Sequence, residues 1–280
     1  MRIVNLIENT EGVNGCAYAH GLAFYIETEN HKLLVDLGPS EETLSNAEKL
    51  GIDLSGIDTV ILSHGHYDHS GGIMPFLSMN KKARIYMQQT AGKDYYADDG
   101  DRAEGDRYVY IGIDKRIMDS PRVEYVNGDH RIDDELELFT IKNRNHEIPF
   151  TNKRLLVREG SGYKRDSFEH EQYLVINNGD RRILVSGCAH NGVLNIMEAY
   201  FEKYNSAPYM VISGFHLMKK TDYTESEIRE IEDMAKRLKE YPTRFITCHC
   251  TGKEPYEIMK KVMGEKLEYV HSGEEIPLDR

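Results

Sequence analysis

The stretch Ser63-His64-Gly65-His66-Tyr67-Asp68-His69-Ser70-Gly71-Gly72 sets three imidazoles and a carboxylate directly behind the apolar run Val60-Ile61-Leu62. A strand that stops at Leu62 and then turns tightly presents the alternate residues His64 and His66 to one side, with Asp68 and His69 coming off the next turn. Imidazole nitrogen suits Zn(II) or Fe(II), and added carboxylate oxygen suits a borderline or harder second ion. The run therefore reads as the ligand loop for one or two divalent metal ions, zinc first, with iron or manganese as alternatives. A solvated histidine-rich loop is the competing account, but it gives no reason for this order of ligand types behind a buried strand.

Working outward, 280 residues suffice for one large α/β domain or two small ones, and nothing resembles a linker. The expectation is a single domain over 1–280 with charged excursions at about 90–119 and 142–170. A net charge of −12 argues against nucleic acid and anionic membrane surfaces as partners. An anionic small molecule stays open through a metal or a local basic loop, and so does a homo-oligomer. No apolar run approaches the ~18 residues of a membrane span. The N-terminal residues start as a strand without the features of a signal peptide, so a cytoplasmic location is expected. Cys16, Cys188, Cys248 and Cys250 show no secreted-framework spacing, which makes reduced thiols the default.

Four strand-like runs end alike. Val60-Ile61-Leu62 precedes His64 and His66, Leu184-Val185 precedes His190, Val211-Ile212 precedes His216, and Phe245-Ile246 precedes His249. Aligned strand ends in α/β sheets gather ligands at one edge, so convergence of these imidazoles explains the pattern better than four separate structural histidines. Helical spacing marks 41–50, with Ser40 as N-cap and Gly51 as the stop, and 192–204. Thr224-Glu225-Ser226-Glu227 is a capping box opening a further helix, and 258–262 carries a short one. The first excursion is Tyr-rich and reads as a loop with one strand at 108–113. The second reads as a loop with Lys142, Arg144, Lys153, Arg154, Arg158, Lys164 and Arg165 against Glu147, Glu159, Asp166 and Glu169, an imbalance that suits a phosphorylated substrate or else is a solvated face.

The run His64-x-His66-x-Asp68-His69 before Gly71-Gly72 resembles the signature of the metallo-β-lactamase-fold superfamily. That resemblance implies an α/β fold, the four-layer αββα sandwich. Further segments, among them Ala19-His20-Gly21-Leu22, Leu34-Val35-Asp36-Leu37-Gly38, Ser186-Gly187-Cys188-Ala189-His190, Gly214-Phe215-His216-Leu217 and His249-Cys250-Thr251-Gly252, are similar to the branch called 7,8-dihydropterin-6-ylmethyl-4-(β-D-ribofuranosyl)aminobenzene 5'-phosphate synthase. The resemblance implies one ion on His64, His66 and His190 and another on Asp68, His69 and His249. Asp36 would support the metal loop from beneath. Many superfamily members carry a bridging Asp where Cys188 stands here, and His146 competes with His190 for the third-motif place. Cys188 would coordinate as a thiolate or simply pack. Asp68 would also orient the nucleophile, His216 would contact substrate or transfer a proton, and His20 is either structural or functional.

The expected function is that of a metal-dependent enzyme, hydrolase or transferase, acting on a phosphorylated pterin-type or similar anionic small molecule. A metal-bound hydroxide or a Lewis-acid metal would drive it. A general hydrolase of phosphoesters, lactones or thioesters is the alternative, and a non-enzymatic metal or ligand sensor is an alternative of another class.

Overall fold

The computed structural model describes residues 1–100 and 106–279. The chain divides into two compact units, the first made of Met1–Gly128, Asn152–Gln172 and His271–Arg280, the second of Asp129–Thr151 and Tyr173–Val270. The second charged excursion is therefore shared between them.

In the first unit, β1 (Arg2–Ile7), β2 (Ala23–Glu27) and β3 (Lys32–Val35) form an antiparallel meander. β4 (Thr59–Ile61) and β5 (Arg84–Gln88) then add in parallel, and the final strand of this sheet, Val123–Val126, joins parallel to β5. Both faces of the central strands are buried, which is why Leu33-Leu34-Val35 and Val60-Ile61 read as continuous apolar runs rather than alternating ones. Helix α1 (Glu42–Lys49) contributes Ala47 to the core. The helix Ile73–Met79 adds Ile73 and Phe76, which pack in the same cluster as Leu34, Val60 and Ile85. Gly51, at φ 68°, ends α1 as expected. Ser40 is not its cap: Glu41 already has helical angles, and the Ser40 hydroxyl is only a 3.4 Å acceptor for the Glu42 amide. The register of β3 on β4 matters most, because Val35 faces Ile61, and Asp36, directly after β3, then meets Ser63, two residues after β4.

The excursions are not plain loops. β6 (Tyr95–Asp98), β7 (Tyr108–Tyr110), and the strands Leu155–Glu159 and Gly162–Arg165 from the second excursion form a separate four-stranded antiparallel sheet. Leu155 and Val157 are buried on alternate positions and pair with Ala97 and Tyr95. Leu155–Glu159 and Gly162–Arg165 form a hairpin across Gly160-Ser161, but their pairing with β6 joins segments far apart in sequence. The Tyr108 and Tyr163 rings stack at 4.3 Å, with Tyr96 edge-on to Tyr163 at 5.0 Å. Residues 101–105 of the first excursion lie outside the described residues.

In the second unit, Arg181–Val185, Met210–Ile212, Arg244–Thr247 and Leu267–Tyr269 run parallel in that order. Tyr173–Asn178, Leu136–Phe139 and His130–Arg131 extend the sheet antiparallel on the other side. Three helices, Val193–Tyr204, Glu225–Glu240 and Lys253–Met263, bury Ile196, Tyr200, Ile231, Leu238 and Met259 in one cluster with Leu184, Val211 and Phe245. The last helix is longer than the short one expected, because Pro255 sits in its first turn, where no helical donor is lost. All four cysteines are buried thiols outside any disulfide. Among the described residues no helix is long and apolar enough to cross a membrane.

Candidate metal centre

Asp36 organises the first unit's histidines. Its carboxylate, wholly buried, accepts from the Ser63 amide (2.7 Å), the Ser63 hydroxyl (2.7 Å) and His69 Nδ1 (2.6 Å). A carboxylate only accepts, so His69 Nδ1 carries a proton and Nε2 is the nitrogen turned to a metal. The Ser63 hydroxyl spends its one proton on Asp36, so in its 2.8 Å contact with His64 Nδ1 the oxygen accepts. His64 is thereby held with its proton on Nδ1 and its lone pair on Nε2. This is how metal-binding imidazoles are oriented, by a hydrogen bond to the other ring nitrogen.

The three rings are close, with His64 4.6 Å from His66 and 4.2 Å from His69 between centroids. A four-residue helical turn, Tyr67–Ser70, carries Asp68 and His69, and Asp68 Oδ2 lies 3.6 Å from His69 Nε2 and 3.5 Å from His20 Nε2. Gly71 and Gly72 close this turn against the chain carrying Asp36: a Cβ on Gly71 would meet the Pro39 carbonyl oxygen at 1.9 Å. Burial above all pushes the His66 pKa down to about 3, which keeps its lone pair available. Burial opposes the charge on His69, but the Asp36, Asp68 and Glu171 carboxylates together outweigh it and the net shift is upward. Imidazole nitrogens beside a carboxylate fit a borderline divalent cation, whose binding displaces protons from its ligands.

In the second unit, His190 and His216 lie side by side, ring centroids 4.2 Å apart. Ligand atoms of Cys188, His249 and Cys250, all buried, lie within 4.8 Å of one another. The Thr151 hydroxyl donates to the His216 carbonyl and therefore accepts, at 2.7 Å, from His216 Nδ1, leaving Nε2 basic. His146 instead faces Arg237, whose guanidinium lies 2.9 Å from Nδ1, and Glu198, 3.6 Å from Nε2.

Sequence reading missed two features. Asp36, Ala189, His216 and His249 all adopt the left-handed backbone (φ 61°, 53°, 48° and 52°). A non-glycine residue there costs about 1–3 kcal/mol and is held only where its surroundings over-determine it. No residue type announced this strain. The second is the bracing of the metal loop by the end of the second excursion, where the Gln172 amide donates to the Ser63 carbonyl (2.8 Å) and Gln172 Nε2 to the Leu62 carbonyl (2.8 Å).

Comparison with known proteins completes the picture. The sequence profile of the Metallo-beta-lactamase superfamily matches residues 19–237. A Methanocaldococcus jannaschii protein named 7,8-dihydropterin-6-methyl-4-(beta-D-ribofuranosyl)-aminobenzene-5'-phosphate synthase is 28% identical over 293 aligned positions, covering 98% of this chain and 95% of the relative. A crystal structure described as a metal-dependent hydrolase of the beta-lactamase superfamily superposes with a TM-score of 0.80 at 28% identity, covering 99% of this chain and 98% of the other. Zn(2+)-bound PqqB from Methylobacterium extorquens shares the fold at 11% identity, with a TM-score of 0.56 and 99% and 100% coverage. The profile spans the strand, the histidine loop and the helices behind them, and by sequence and fold alike the chain belongs to the metallo-beta-lactamase superfamily.

Proposed function

We propose that the protein is a metal-dependent enzyme acting on a phosphorylated pterin-type or similar anionic small molecule. The observation that carries this reading is the Asp36–Ser63 pair, which occupies Nδ1 of both His64 and His69 and so orients both rings. The proposed ligands are His64, His66, Asp68 and His69 of the first unit and His190 and His249 of the second. Zinc is the first choice of metal, with iron or manganese as alternatives. A divalent cation, when bound, supplies Lewis acidity toward a phosphoryl or carbonyl oxygen. Asp68 both ligates and orients the nucleophile, and His216, with Nδ1 tied to Thr151, accepts or returns a proton at Nε2.

A cleft of about 870 Å³ in the second unit is lined by none of the proposed ligands. Arg144, Arg229 and Arg237 offer cationic groups there, Glu147, Glu230 and Asp233 carboxylates, so its charge is balanced and it does not by itself select an anion. Its size falls within the ~300–1,000 Å³ of small-molecule sites. Asn191 Oδ1 accepts from Arg144 Nε at 2.7 Å, which presets that guanidinium. The name of the synthase relative, which joins a dihydropterin methyl group to an aminobenzene, favours transfer to an aromatic amine; the leaving group proposed for that step is diphosphate. Similarity to a structure described as a metal-dependent hydrolase favours the second reading, hydrolysis of phosphoesters, lactones or thioesters.

The two are separated by incubating the metal-loaded protein with a dihydropterin diphosphate, with and without an aromatic amine, and with a panel of chromogenic esters. Amine-dependent consumption is expected for transfer. Amine-independent ester turnover selects hydrolysis. Inactivity on every substrate by protein carrying stoichiometric metal would overturn the enzymatic reading.

A further inference from the structure

The hydrogen bonds of His170, a buried imidazole of the first unit, run opposite to those of His64 and His69. It is fully buried, and its Nδ1 lies 2.9 Å from the backbone nitrogen of Gly65, the residue between His64 and His66. An amide N–H only donates, so Nδ1 holds the lone pair and the ring proton is on Nε2. That nitrogen faces Asp166 Oδ2 at 2.9 Å, and Asp166 is itself held by the Phe168 amide on Oδ1 at 2.8 Å. Both ring nitrogens are thus committed. His66, Asp166 and His170 lie close enough to hold an ion, within 4.8 Å, but His170 would have to release Gly65 to join it.

The packing leaves His170 little freedom to turn. Its ring centre lies 4.1 Å from Tyr95 and 6.1 Å from Phe168. Phe168 holds the left-handed conformation at φ 55°, which turns the chain between Asp166 and His170. Two residues on, Gln172 grips the carbonyls of Leu62 and Ser63. The segment 166–172 therefore contacts the metal loop at Leu62, Ser63 and Gly65, anchor points on both sides of His64.

We propose that His170, held in its Nε2–H tautomer by Asp166, is a positioning residue that clamps the Gly65 amide and so sets the separation and aim of His64 and His66 for the metal. The clamp rests on the metal-binding reading given above. It makes the second excursion part of the site through backbone geometry rather than through a ligand.

The test uses the full-length chain and zinc, with affinity measured by competition against a chromophoric chelator. Hydrogen exchange of the peptide containing Gly65 is followed in the metal-free protein. His170→Leu keeps the bulk and removes the acceptor; it should weaken zinc about 10–100-fold, the usual loss for an outer hydrogen-bond partner, and speed exchange at Gly65. His170→Asn places its Oδ1 where Nδ1 stood and should recover affinity to within a few-fold of the parent. Asp166→Ala leaves the imidazole but frees its tautomer, and should fall between the two; it carries the test if His170→Leu does not fold. Parental affinity and exchange in His170→Leu or Asp166→Ala would overturn the proposal, as would a His170→Asn protein as impaired as His170→Leu. If the parent itself bound no zinc, the metal reading would fail, while the exchange measurements would still decide whether His170 holds Gly65.

Discussion

Asp36 spends a buried carboxylate on three donors from a left-handed backbone position, and removing it leaves His69 and the Ser63 amide without their acceptor. Breaking a buried charge pair by deleting one partner costs about 3–5 kcal/mol. Asp36→Ala should lose about that much in urea unfolding, whereas a loss under 1 kcal/mol would show that the network is slack. His66 and His69 give the metal-free protein opposite pH responses. The folded-state pKa of His66, about 3, lies below its unfolded value near 6.5. The unfolded chain therefore binds the extra proton, and stability falls as pH drops through that window. His69 is shifted upward, so its contribution is complete below the unfolded value and is lost as pH rises through the folded one. Metal-free His66→Gln should therefore lose less stability between pH 6.5 and pH 4 than the parent, read from denaturation midpoints across that range. Equal losses in the two proteins would contradict the assignment.

At the scale of elements, the helix Glu225–Glu240 and the four-stranded excursion sheet make opposite cases. The helix opens on a complete capping box, in which Thr224 Oγ1 accepts from the Glu227 amide at 3.3 Å and Glu227 accepts from the Thr224 amide at 2.7 Å. Every part of that signal lies within four residues, so it was legible. Thr224→Ala should cost about 1 kcal/mol by urea denaturation, and no change would mean that tertiary packing alone holds the turn. The ion pair with Lys219, followed by the Thr224 amide, lowers the Glu227 pKa to about 2. Its support is present above the unfolded carboxylate pKa and is lost as pH falls from about 4.5 toward 2. The excursion sheet has a local signature only in its Gly160-Ser161 hairpin turn. Strand Leu155–Glu159 finds β6 across a long chain separation, and only the partner shows which face of Leu155-Leu156-Val157 is inward.

For the whole molecule, a cation that binds the folded chain and not the unfolded one must raise stability by mass action. Zinc at about 100 times its Kd adds about 2.7 kcal/mol. Calorimetry should show a higher unfolding temperature with zinc than after chelator treatment, and the difference should vanish in His64→Ala. A transition indifferent to zinc and chelator would remove the cation from the account. The chain's interleaving raises the stakes of such a measurement, because the first unit is closed by residues 152–172 and by the C-terminal segment, where the Glu8 amide donates to Ser272 Oγ at 2.8 Å.

The amino-acid order by itself determined the superfamily and the ligand loop, because strand, turn and donor residues are contiguous from Val60 to Gly72 and their chemistry is local. It also showed histidines waiting behind three later strands, since each apolar run and its following imidazole sit within a few residues. Only the tertiary structure decided the tautomers. Which nitrogen of His64, His69, His170 or His216 keeps its lone pair depends on partners at Asp36, Ser63, Gly65 and Thr151, several of them distant in sequence. The same holds for the strained backbone at Asp36, Ala189, His216 and His249, which is maintained by surrounding packing and hydrogen bonds rather than by any preference of the residues themselves.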